Sequence, residues 1–95
     1  MDYILESNTY SLLFGILEIA QNLIISTKNV STLAHCYYLA KLSLDIVNTE
    51  FIQFKATEVL ITLYKKDPIT FAVVQLDLDQ YAENFLTLDQ DKRKF

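Results

Sequence analysis

The only histidine and the only cysteine of this 95-residue chain are neighbours, His35 and Cys36. A cysteine nucleophile needs an imidazole within hydrogen-bond reach to take its proton. The pair lies in STLAHCYYLAKLSLD, residues 31–45, whose apolar spacing is helical. Adjacent helical side chains point about 100° apart, so these two do not face each other, and there is no second histidine to act as base. The spacing instead makes His35 a packed residue at a core edge and Cys36 a small buried thiol. Zinc fails on ligand number, because a structural site wants about four N or S donors.

A second group, Asp77, Asp79 and Glu83 with Asp89 and Asp91, has carboxylates enough to suggest a cation site. A calcium loop beginning at Asp77 would need glycine sixth and glutamate twelfth, and those places hold Ala82 and Leu88. Solvated acids near a helix start, favoured there by the helix dipole, explain the group more simply. The single glycine, Gly15, lies inside an apolar helix pattern, so no glycine-rich phosphate loop exists. The residues therefore predict no catalytic centre, no metal and no cofactor. An enzymatic or ligand-binding helical domain, with paired carboxylates in a pocket, is the lesser alternative.

Composition points the same way. The chain is 52% hydrophobic with one Gly and one Pro, so loops must be few and short, which favours helices. A chain of this length suits one domain with one core. A net charge of −4 argues against a nucleic-acid partner, and the longest run of cations is the short terminal Lys92-Arg93-Lys94. The lone cysteine suits a reducing compartment. Asp2 and Glu6 stand where a secretory signal would carry cations, so the expected location is intracellular, nucleus or cytoplasm. Asn29-Val30-Ser31 is then an idle glycosylation match.

Five helices would have to position these residues. The first spans about 9–25, capped by Asn8 or Thr9. Ser11, Gly15, Glu18 and Asn22 form its polar stripe, and Leu12, Leu13, Ile16, Ile19, Ala20, Leu23 and Ile24 its apolar arc. Sixteen residues, 10–25, are short for a membrane span of about 20, which with the polar stripe disfavours a membrane reading. The second, about 31–46 with a Ser31 cap, carries two apolar stripes: Leu33, Tyr37, Ala40, Leu44 and, beside it, Leu39, Leu42, Ile46. Such a helix should pack on two sides as the central member, leaving the Ala34, Tyr38, Lys41, Asp45 sector wet.

Residues 47–54 read as a connector anchored by Phe51 and Phe54, with room for one helical turn after Asn48 or Thr49. A third helix, about 55–66, has a face of Ala56, Val59, Leu60, Leu63 and Tyr64 and a wet edge of Lys55, Glu58, Thr62 and Lys65. Asp67-Pro68 starts a fourth element, about 68–75, whose β-branched content and Leu76-Asp77-Leu78-Asp79 alternation would also suit a strand. With no partner strand in view, a short helix is expected. A fifth helix, about 78–88, shows Leu78, Tyr81, Ala82, Phe85 and Leu88 on one face, and 89–95 form a frayed tail.

Residues 32–66 resemble the C-terminal cyclin fold, in which a helix of the type TLAKYLxELSLLD precedes an aromatic connector and a buried helix. Thr32, Leu33, Ala34, Tyr38, Leu39, Leu42, Ser43, Leu44 and Asp45 fall on that pattern, with Phe51 and Phe54 in the connector. Lys55-Ala56 stands where cyclins usually have two prolines. The resemblance implies a five-helix, all-α, cyclin-like bundle with a central buried helix. It also implies a non-catalytic, protein-binding subunit whose partner is a cyclin-dependent kinase or a larger complex. Cyclins contain two such repeats and touch the kinase mainly through the first, whereas this chain resembles the second. On the second helix, Tyr38 and Lys41, with His35 at their edge, are the candidate interface residues. A membrane-associated helical subunit of a larger assembly is the competing class.

Overall fold

The computed structural model describes the backbone of residues 2–47 and 49–93 and the side chains of 9–47 and 49–83. Four helices account for nearly all of it: α1 Asp2–Ser26, α2 Val30–Ile46, α3 Glu50–Lys66 and α4 Val73–Arg93. No strand occurs among the described residues. The chain is all-α as expected, but the expected five-helix bundle is a four-helix one.

The miscount arose at both ends, and in each case weak stop signals were overridden. Residues 2–9 contain neither Gly nor Pro, so α1 runs through Asn8 and Thr9 instead of starting there. Its 25 residues remove the length objection to a membrane span, and Thr9–Ser26 is apolar enough to be a candidate. At the other end, Asp67 and Pro68 do open a new element. Asp67 Oδ1 accepts from the Thr70 amide and the Asp67 carbonyl from the Phe71 amide, closing one turn. After that turn nothing interrupts the chain, so the expected fourth and fifth helices are one, α4. Val74, Asp77, Leu78 and Tyr81 recur at i, i+3, i+4 and i+7 on its inner face. This settles the Leu-Asp alternation against a strand: Leu76 is 69% exposed while Asp77 is buried. Of the expected inner face, Ala82 is exposed, and the Phe85 and Leu88 side chains lie outside the described residues.

The joints are short. Asn29, not Ser31, caps α2, its Oδ1 accepting from the Ser31 and Thr32 amides at 2.9 and 3.3 Å. Asparagine suits this because its extended backbone and short acceptor reach the first free N–H groups. Residues 47–49 alone link α2 to α3, so the expected aromatic connector is in fact the first turn of α3. Phe51 and Phe54 ride outward on it, 47% and 65% exposed, with the Phe51 ring tilted against Phe14 at 5.8 Å between centres.

The central helix is α3, not the expected 31–46. Ile52, Ala56, Val59, Leu60 and Leu63 are fully buried between α1 and α2, meeting Leu17, Ala20 and Ile24 from one and Leu33, Cys36, Ala40 and Leu44 from the other. Burying one large aliphatic side chain is worth about 1.5–3 kcal/mol, so this row dominates the favourable side of folding. Lys55, expected on a wet edge, closes the α1–α3 seam instead: its ammonium lies 3.2 Å from Glu58, 3.9 Å from Glu18 and 5.5 Å from the Phe14 ring centre. The whole is a slab, 48 × 34 × 14 Å. Two helix layers about 8–10 Å apart, with backbone radii of about 2.3 Å, account for that thickness, and each helix keeps an uncovered side.

Candidate interaction surface

The apolar arc of α1 is wider than α3 can cover. Leu17, Ala20 and Ile24 turn inward, but Leu12, Ile16, Ile19 and Leu23, at i, i+4, i+7 and i+11, form a ridge 40–67% exposed. Only 17% of Thr9–Ser26 is buried. The second stripe of α2 fares the same way: Leu42 and Ile46 are 58% and 69% exposed, and Leu39 is half-buried. The expectation that α2 packs on two sides is therefore corrected, because no fifth helix arrives to cover that stripe. Between the two rows lies an open cavity of about 200 Å³, with Ile16, Ile19 and Leu23 on one wall and His35 and Leu39 on the other. Ala20 and Cys36 form its floor.

Charge is nearly absent here. From Thr9 to Thr27 the only ionisable acid or base besides Tyr10 is Glu18, which faces Lys55 of α3. On α2 only Lys41 and Asp45 are charged: Lys41 reaches Asp77 of α4, and the half-exposed Asp45 pairs with Lys41.

That opposite side of α2 carries the polar cluster of the molecule. Tyr37 donates to Asp77 Oδ2 at 2.6 Å, and Lys41 lies 3.0 Å from Asp45 and 3.6 Å from the other Asp77 oxygen. Burial, then the hydrogen bond to Asp77 and the charge of that carboxylate, push the Tyr37 phenol well above its usual value of 10.0. The Asp45 hydrogen bond, opposed by desolvation and assisted by Asp77, raises the Lys41 ammonium above 10.5. Asp77, expected among solvated acids, is thus a buried acceptor that ties α4 to α2.

The three expected interface residues do not form one patch. His35 is exposed on the apolar cavity rather than packed at a core edge, Tyr38 projects 68% exposed beside it, and Lys41 is engaged in the α2–α4 cluster. Cys36 is buried as expected, its Sγ 3.8 Å from the Ala20 carbonyl oxygen, and burial raises the thiol's pKa. A thiol held protonated in an apolar floor is a poor nucleophile. Among the described residues no three His, Cys, Asp or Glu side chains converge as metal ligands would. The α1 ridge was missed because period-3.6 patterning reports an apolar arc without saying how much of it a neighbour covers. The 40-residue separation of Tyr37 and Asp77 left no local signal at all. No family model, curated protein or solved structure matches this chain.

Proposed function

We propose that this protein is a non-catalytic interaction subunit that works by docking in a protein complex. One observation carries the reading: the α1 ridge and the second stripe of α2 expose six apolar side chains, with half-buried Leu39 among them, in a continuous, almost uncharged face. Contiguous apolar surface of this kind marks an interaction site, because leaving it in water forfeits hydrophobic free energy. The resemblance of residues 32–45 to the cyclin pattern adds a regulatory or scaffold role and makes a cyclin-dependent kinase one partner to look for. Purifying the tagged chain at native abundance from the cells that make it, with partners identified by mass spectrometry, tests this. A stoichiometric second protein is expected. A chain recovered with no other protein, in any amount comparable to its own, refutes the reading.

The runner-up, a membrane-associated subunit, is favoured by the length and hydropathy of Thr9–Ser26. Against it stand the Glu18 carboxylate midway along that stretch and the inward packing of Leu17, Ala20 and Ile24 on α3.

A further inference from the structure

We infer that the α1–α2 face is covered by a second copy of this chain, in a two-fold dimer whose core is four helices, α1 and α2 from each copy. The inference rests on the reading above only in taking that face as a protein contact.

Shape comes first. A two-fold contact uses one patch twice, so the patch must be complementary to itself. This face contains both halves of such a fit: a ridge of Leu12, Ile16 and Ile19 on α1, and beside it the cavity of about 200 Å³ between α1 and α2. Turned over, the ridge of one copy lies on the cavity of the other, twice.

Charge separates this occupant from others. Two chains of net charge −4 repel, and they can meet only where neither presents carboxylates. The α1–α2 face comes near that condition, since Asp45 is paired with Lys41, which reaches Asp77 of α4, and Glu18 with Lys55 of α3. An anionic bilayer would be drawn by cations along the face, whereas Lys28 and Lys66 stand only at the C-terminal end of α1 and none lies along its ridge.

Area is sufficient. Eighteen residues of α1 beside seventeen of α2 make a face about 25 Å long and about 20 Å wide, at about 1.5 Å per residue and about 10 Å per helix. That is about 500 Å² in projection from each copy, or about 1,000 Å² together, the lower limit for a specific interface and a size that suits a dimer which dissociates on dilution.

Light scattering and sedimentation of the purified chain from about 1 to 100 µM test the inference. The expected mass is twice the 11.0 kDa of one chain. Ile19→Lys and Leu42→Lys, both at exposed positions that spare the fold, each weaken the dimer by about 30-fold or more, as loss of a central contact does. Leu76→Lys, equally exposed but on α4, leaves it intact. Helical content by circular dichroism is unchanged in all three. A monomer throughout the range overturns the inference, and so does a dimer indifferent to Ile19→Lys and Leu42→Lys. So too does a monomer that floats with neutral or anionic phosphatidylcholine–phosphatidylserine vesicles, which gives the face to lipid. A homodimer that recovers no other protein from cells sinks the complex-subunit reading alone, and a monomer that recovers a stoichiometric partner sinks the dimer alone.

Discussion

Tyr37→Phe removes the shorter of the two polar contacts described between α4 and α2 and leaves Lys41 on Asp77. The phenylalanine keeps the ring, and with it the tilted packing on Phe71 at 6.1 Å, so only the hydroxyl is lost. That hydroxyl donates to Asp77 at 2.6 Å, within the short range of charge-assisted bonds, and a hydrogen bond to a charged group contributes about 1.5–3 kcal/mol. The Asp77 side chain is 11% exposed and retains Lys41 at 3.6 Å, which places the loss at the low end, about 1.5 kcal/mol. For a domain of this size that lowers Tm by about 6–12 °C. Urea unfolding gives the free energy, and amide exchange gives the location: protection should fall over residues 74–81 while residues 52–63 keep theirs. The pH dependence follows from the same bond. A phenol raised in the folded state contributes fully below its unfolded pKa of about 10 and loses that contribution as pH climbs through the raised folded value. Wild type should therefore lose stability above about pH 10, and the variant should show a shallower slope. Lys41, also raised, contributes in the same direction in both proteins. A change below about 0.5 kcal/mol with exchange at 74–81 unaltered would refute the assignment of this bond as the α4 fastening.

Three further outcomes follow from the packing. Leu60→Ala, at a fully buried position of α3, should cost about 2–5 kcal/mol by equilibrium unfolding, enough to unfold much of a marginally stable chain. Cys36 should react with an aromatic disulfide reagent only at the rate the fold opens, and fully in denaturant, since its thiol is buried and its pKa raised. Gly15→Ala meets no steric obstacle within one chain, so it should raise the stability of the folded monomer by about 0.5–1 kcal/mol, read by urea unfolding at dilution.

Much of the local order was legible in the residues. Ala56, Val59, Leu60 and Leu63 announce a buried face by spacing alone, and Asp67-Pro68 announces a boundary through its capping chemistry and fixed backbone. Segment ends were less legible. Asn8, Thr9 and Ser31 are competent caps, but capping is worth about 1 kcal/mol and yields to an uninterrupted run of helix formers. The candidate surface was half visible. Leu39, Leu42 and Ile46 share one stripe by spacing, and the fold keeps them on one face; the spacing does not say whether a neighbour covers that face, because an apolar stripe reads the same either way.

By itself the sequence determined the helical class, that His35 and Cys36 cannot face each other on one helix, and which residues share each helical face. Those properties depend on neighbours within a few positions, where the 3.6-residue repeat governs. Tertiary structure alone decided that α3 is central, that Asp77 lies inside and Leu76 outside, and that half of α1's apolar arc stays uncovered. Each of these depends on how many helices the chain has left to wrap around a given core. With four rather than five, the two layers close over α3 and leave the α1–α2 face open.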